Sequence, residues 1–120
     1  MIAASDVLGD STLDVIFAPK RFVEANPRTM QVFLTALDEA NDFIAKDPLA
    51  AAQAFNRVTR TTASDADVVK MIADPDSRFS ATPHGVMEYA RFMHAVGSVR
   101  VKPESWKDLF ITALHDRQGS

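Results

Sequence analysis

Apolar residues recur at helical spacing along much of the chain and divide it into amphipathic segments. The longest stripe follows Asn26 and consists of Met30, Phe33, Leu34, Leu37, Ala40 and Ile44, with polar residues elsewhere on the helical wheel. A second helix is predicted after Asp47, with a face made of Ala51, Ala54, Phe55 and Val58. Because the link between these two helices is very short, we expect them to turn sharply and pack against each other.

Proline marks most of the predicted helix starts. Asn26-Pro27, Asp47-Pro48 and Thr82-Pro83 each place a capping side chain before a proline. A proline at the first helical position loses nothing, since its missing N–H has no partner in the helix. Ser64 predicts a further start, because an acidic residue follows three positions later. That short helix is expected to end at Asp74-Pro75.

The C-terminal third carries one clear helix and one weaker start. The clear helix has an apolar stripe made of Val86, Tyr89, Ala90, Met93 and Val96, and we expect it to stop at Gly97 as a left-handed cap. Lys102-Pro103-Glu104 is a weaker start, because lysine cannot cap a helix. Trp106 stands near Leu109 and Phe110 at helical spacing, which indicates an anchor for a terminal segment rather than a ligand-stacking side chain.

One segment has the character of a β-strand. Leu13–Ala18 is short, apolar and partly β-branched, and it leads through Pro19 into a predicted turn around Arg21-Phe22. The backbone of a strand needs partners, and the other candidates, residues 2–4 and 98–101, are short. The fold class predicted is therefore mainly α with one or two short β-strands.

We expect residues 1–120 to form a single unit, with a crossover and strand segment at 1–19 and a helical segment at 20–120. Apolar faces of several helices are expected to meet in one core. Its predicted members are Phe33, Leu37, Phe55, Met71, Tyr89 and Met93. No internal repeat or linker interrupts this organisation.

Composition and charge narrow the classes of partner. The chain has 120 residues, 47% of them hydrophobic, and 13 Lys and Arg against 16 Asp and Glu, for a net charge of -3. No basic field is present to hold a phosphate backbone, so we expect no nucleic-acid partner. The chain has no cysteine, and its first residues lack the basic region and apolar run of a secretory signal. As written, the chain is expected to be cytosolic or incomplete.

Candidate chemistry is sparse. His84 and Glu88 share a helix face but are too few ligands for a metal site, and a solvated face is the favoured reading. His94 is interpreted as a boundary residue, and His115 has no recognisable partner. No nucleophile elbow or phosphate-binding loop is present. We therefore predict no catalytic residue, no metal site, no cofactor and no enzymatic activity.

The polar segment before the predicted strand is the one candidate ligand site. Ser5, Asp6, Ser11 and Thr12 offer hydroxyl, carboxylate and backbone groups to a small polar ligand. The alternative is a capped turn with no ligand, which the local sequence favours.

Several short sequence motifs (referred to below as words), taken in order along the chain, resemble the C-terminal part of NitT/TauT-type solute-binding proteins of ABC importers. The first are Phe22-Val23-Glu24-Ala25-Asn26-Pro27 and Phe33-Leu34-Thr35-Ala36-Leu37-Asp38-Glu39-Ala40-Asn41. The loop Asp74-Pro75-Asp76-Ser77-Arg78-Phe79-Ser80-Ala81-Thr82-Pro83 is similar to that family's D-P-D-x-R-F-S-x-T-P loop. The closing words are Phe92-Met93-His94-Ala95-Val96-Gly97-Ser98, Lys102-Pro103 and Ser105-Trp106-Lys107-Asp108-Leu109-Phe110.

This resemblance implies a C-terminal fragment of a periplasmic-binding-protein type II α/β fold, in which the solute lies between two lobes. It implies a periplasmic location and two partners, a small anionic or sulfonate-like solute and an ABC permease. Ser5, Ser11 and Thr12 are the ligand contacts that the resemblance carries over, near the crossover between lobes. Because most of the cleft is absent, we expect no robust solute affinity from this chain alone.

Two other functions stay open. The first is a freestanding helical interaction module that self-associates or docks a partner through exposed apolar surface. The second is an enzyme of the pyrimidine-synthase type, which shares the fold by resemblance. That reading is disfavoured, because the cysteine, histidine and cofactor-binding groups such an enzyme needs are not visible.

Overall fold

The computed structural model describes Gly9 and residues 11–120, and 56% of this part is helical with no strand. The α-helices are α1 (Lys20–Ala25), α2 (Pro27–Lys46), α3 (Pro48–Thr59), α4 (Asp65–Ile72) and α5 (Val86–Ala95). Two 3₁₀-helices follow, at Trp106–Asp108 and Thr112–Leu114. Among the described helices, none is both long and apolar enough to cross a lipid bilayer.

The predicted strand and the α/β fold class are wrong for the described residues. Leu13–Ala18 has no regular secondary structure, and its large apolar side chains are exposed. Residues 98–101 form no strand either, and residues 2–4 lie outside the described part. A strand requires a neighbour to satisfy its N–H and C=O groups, and no segment described here supplies one. A fragment of a two-lobed α/β fold is therefore not what this structure contains.

The chain divides into two compact units, residues 1–31 with 82–120 and residues 32–81. We call them unit 1 and unit 2 and describe each by itself. Unit 1 holds α1, the beginning of α2, α5 and both 3₁₀-helices, and unit 2 holds the rest of α2 with α3 and α4.

Local capping explains most helix boundaries in unit 2. Asp47 caps α3, accepting a hydrogen bond from the Ala50 N–H at 3.0 Å, and Pro48 follows at the first position, as predicted. Ser64 caps α4 through the Asp67 N–H at 3.1 Å, also as predicted. The end of α3 lies at Arg60, whose φ of 53° is left-handed.

Boundaries in unit 1 depart further from the sequence pattern. The predicted turn around Arg21-Phe22 is helix α1, and the Asn26 side chain closes it by donating to the Phe22 carbonyl oxygen at 2.8 Å. Helix α5 begins at Val86 rather than after Thr82, because Gly85 adopts a left-handed φ of 62° that interrupts a helix. At its other end Gly97 has a φ of 77°, which confirms the predicted left-handed cap.

Packing within unit 2 joins α3 to α4 rather than α2 to α3. Ala51, Ala52 and Val68 are buried on these two helices. The Asn56 side chain ties them together, because its amide donates to Asp65 Oδ1 at 2.6 Å and to the Ala63 carbonyl at 3.3 Å. The expected packing of α2 on α3 is therefore wrong.

The predicted core is also largely wrong. Phe33, Phe55, Met71 and Tyr89 are all more than a third exposed. The apolar side chains that the structure buries are Leu34, Ala51, Ala52, Val68, Trp106 and Leu114. Helical spacing identifies an apolar stripe, but the neighbour that covers part of it is a tertiary choice.

Candidate functional site

Thr12 is the predicted ligand residue that the structure ties most firmly into unit 1. Its backbone N–H donates to the His84 carbonyl oxygen at 2.8 Å, and its Oγ1 accepts from the His84 N–H at 2.9 Å. Ser11 beside it is half-buried, and Ser5 lies outside the described residues. The structure thus brings Thr12 to a loop 72 positions away in sequence.

The same loop is held from the C-terminal side by Ser120. The Ser120 N–H donates to the Pro83 carbonyl at 3.1 Å, and the Val86 N–H donates to the Ser120 carbonyl at 3.0 Å. Ser120 Oγ accepts from the Gly85 N–H at 3.1 Å. We call Thr12, residues 83–86 and Ser120 the Pro83 junction. Pro83 itself is buried at this point.

The chemistry of the junction follows from its remaining hydroxyl groups. Thr12 Oγ1 accepts one hydrogen bond, so its O–H proton is still available to a further acceptor. Ser11, the preceding residue in sequence, is half-buried and carries a second candidate hydroxyl. Neutral hydroxyl donors of this kind can hydrogen-bond the oxygen atoms of a small polar ligand.

A cleft of about 430 Å³ adjoins the Pro83 junction at Gly85 and Ser120, in unit 1 beside the start of α5. Its lining residues are Gly85, Met87, Glu88, Arg91, Glu104, Ser105, Trp106 and Ser120. Arg91 is already paired with Glu88 at 2.6 Å, and Glu104 adds a second carboxylate. The Arg91 and Glu88 charges offset each other, which leaves the negative charge of Glu104. This cleft therefore disfavours an anionic solute. Neither Ser11 nor Thr12 lines it.

Trp106 serves as packing, as predicted. It is only 8% exposed, and its ring meets the Phe110 ring at 6.2 Å and the His115 ring edge-on at 5.8 Å. His115 also lies 3.0 Å from the Phe110 carbonyl through Nε2, so the prediction that it has no partner is wrong. Position 119 favours glycine, because a Cβ there would lie only 2.9 Å from the Trp106 indole, too close for an ordinary contact.

A capping box positions Trp106. Ser105 Oγ accepts from the Lys107 N–H at 3.3 Å, and Asp108 Oδ2 accepts from the N–H groups of Glu104 and Ser105 at 2.9 and 3.0 Å. These bonds fix a 3₁₀ turn instead of the helix expected after Lys102-Pro103. The cap comes from Ser105, whose hydroxyl accepts a hydrogen bond, whereas the side chain of Lys102 before the proline has no acceptor.

The described residues assemble no metal-binding group of three His, Cys, Asp or Glu side chains. His84 is half-buried and Glu88 is exposed, and His94 is exposed. Within the described part of the chain, no third metal-ligating side chain joins His84 and Glu88, the pair that the sequence analysis considered.

Sequence reasoning missed Ser120 and the backbone of His84 as parts of the junction. Backbone hydrogen bonds between segments so far apart in sequence leave no local pattern of residue types. Thr82-Pro83 was the nearest signal, and it marks the loop itself rather than a helix start.

The chain matches no protein-family model, and no curated protein or solved structure is significantly similar to it.

Proposed function

We propose that the chain is a portion of the substrate-binding component of an ABC importer for a small anionic or sulfonate-like solute. It binds and releases the solute without chemistry, acts with an ABC permease and belongs to the periplasm. One observation carries this proposal. A series of sequence motifs between Phe22 and Phe110 resembles, in the same order, motifs of the NitT/TauT-type proteins.

The positions of these words support the proposal. Pro83, at the end of the D-P-to-T-P loop, is buried, and the last word places Trp106 in the packed interior of unit 1. Asn26 and Gly97 each lie at a helix end, where their conformations are used. Residues at caps and buried turns shape the local fold, so we assign these motifs a scaffold role in the proposed receptor.

The solute contacts that we assign are Ser5, Ser11 and Thr12. Thr12 keeps its O–H proton for an acceptor while its oxygen holds the His84 N–H. The carboxylates of the neighbouring cleft make that space a poorer choice for an anion. With few donors on the chain, we expect millimolar affinity, about 4 kcal/mol of binding free energy at 1 mM.

A solute titration followed by amide resonances tests the proposal on this chain. Nitrate, taurine and methanesulfonate are added to ¹⁵N-labelled protein, with chloride as the control for ionic strength. We expect saturable shifts at the amides of Ser11, Thr12 and His84 with at least one solute. If all of these solutes give the same shifts as chloride, the proposal is wrong.

A pair of substitutions separates the hydroxyl from general perturbation of the loop. Thr12→Ser keeps the oxygen and its proton, and we expect it to retain the solute-dependent shifts. Thr12→Val has a similar shape without the hydroxyl, and we expect it to lose them. Equal titrations for both variants would remove Thr12 from the site.

A second function has its own support. Many large apolar side chains are exposed in both units, among them Val32 in α2 and Phe92 in α5. Exposed apolar surface of this kind favours a helical interaction module that self-associates or docks a partner.

A further inference from the structure

The most exposed large apolar side chains of unit 1 include several that are consecutive in sequence. Leu13, Ile16 and Phe17 are 75%, 71% and 90% exposed, and Val15 is 60% exposed. Phe22 on α1 is 45% exposed and follows closely in sequence. We call these five residues the N-terminal apolar patch.

The summed exposed area of these five residues is large for a monomer. Its members expose on the order of 600 Å², which is the upper end of the range of about 300–600 Å² for the largest apolar patch on a typical monomer. Two copies of the patch in contact would bury about 1,200 Å² in total, at the lower limit for a specific protein interface. A second copy of the chain is therefore large enough to cover the patch.

The charges around the patch favour a second copy in a particular orientation. Asp14 lies within the patch, and Arg21 follows it at the start of α1. Both are exposed, and neither forms an ion pair within the described part of the chain. Lys20 is already paired with Glu24 at 3.7 Å. If two copies met along this segment about a two-fold axis, Asp14 of each copy would face Arg21 of the other.

We propose that two copies of the chain associate about a two-fold axis through the N-terminal apolar patch, with reciprocal pairing of Asp14 and Arg21. This inference rests on the second proposed function and names its surface and its partner. The contact is isologous, so one patch serves both copies and the pair closes without further growth. The modest area predicts a reversible dimer with a Kd of about 1–100 µM.

Sedimentation velocity and light scattering across this concentration range test the proposal. We expect the wild-type chain to pass from monomer to dimer as concentration rises. Ile16→Asp places a charge in the contact and is expected to weaken association at least about 100-fold. The matched control is Val58→Asp, on an 83% exposed apolar side chain of α3, which should leave association unchanged.

A charge exchange distinguishes the specific two-fold contact from general adhesion of apolar surface. Asp14→Lys and Arg21→Glu, made singly, are each expected to weaken association about tenfold, because each dimer loses two ion pairs and gains like-charge contacts. The double variant restores opposite charges and is expected to return near the wild-type Kd. Circular dichroism establishes that the variants keep their helix content.

Each outcome decides the inference. A chain that stays monomeric throughout the range overturns it, and so does a dimer lost with Val58→Asp but kept with Ile16→Asp. Failure of the double variant to recover overturns the two-fold pairing. In all these cases a helical module that docks a different protein is still allowed, and solute titration at monomeric concentration tests the importer function separately.

Discussion

Replacing Leu114 with alanine tests whether unit 1 has the packed interior described above. Leu114 is 7% exposed and lies in the second 3₁₀-helix, directly before His115, which contacts Trp106. The substitution removes three buried carbon atoms, about 2.4 kcal/mol at roughly 0.8 kcal/mol each. The unfilled space adds to this loss, so we expect the free energy of unfolding to fall by about 3 kcal/mol.

Trp106 provides the measurement, because it is the only tryptophan and is buried in the same unit. Urea unfolding is followed by its fluorescence at a concentration where the chain is monomeric. Leu13→Ala is the matched control, since it makes the same chemical change in unit 1 at a side chain that is 75% exposed. We expect the control to change the free energy of unfolding by less than about 0.5 kcal/mol.

The packing assignment is wrong if Leu114→Ala costs less than about 1 kcal/mol, or if Leu13→Ala costs as much. Should the Leu114→Ala variant be unfolded without urea, Leu114→Met gives a second reading. That change nearly conserves volume, and we expect it to cost less than about 1.5 kcal/mol.

Substitutions at three further positions test local features by chemical denaturation. Gly97→Ala forces a side chain into a left-handed φ of 77° and is expected to cost about 1 kcal/mol. Ser64→Ala removes the α4 cap and is expected to cost about 1 kcal/mol, while Ser64→Asp, which still caps, should cost less. Asn56→Asp replaces the amide that donates to Asp65 with a second carboxylate. We expect the free energy of unfolding to fall by about 2 kcal/mol at pH 7. Because protonation relieves the repulsion between the two carboxylates, the deficit relative to wild type should shrink as the pH falls and be smallest below about pH 4. A deficit independent of pH would contradict this reasoning.

Helix boundaries set by neighbouring residues were predictable from sequence. Asp47 with Pro48, Ser64 and Gly97 each act through bonds or dihedral angles within a few positions of the chain. The start of α5 was not predictable in the same way. Thr82-Pro83 has the local pattern of a helix start, but the loop instead takes hydrogen bonds from the distant Ser120.

The candidate site was only partly predictable. Thr12 was identified by its residue type and position, whereas its pairing with His84 depends on a contact across 72 positions. Ser11, the preceding residue in sequence, is half-buried, and the assignment of Ser5, Ser11 and Thr12 as ligand contacts stays a prediction. The acidic cleft next to α5 was not expected, because its carboxylates come from residues separated in sequence, Glu88 and Glu104.

The sequence by itself determined that this chain is rich in helix, where α3 and α4 begin, where α5 ends, and that Trp106 packs inside. It determined these features because capping and helical periodicity are local, and because a large aromatic ring gains most from burial. Only the tertiary structure decided which apolar faces are covered and whether Leu13–Ala18 finds a strand partner. Burial and strand pairing both require a second segment at the right place, and no residue carries that information alone.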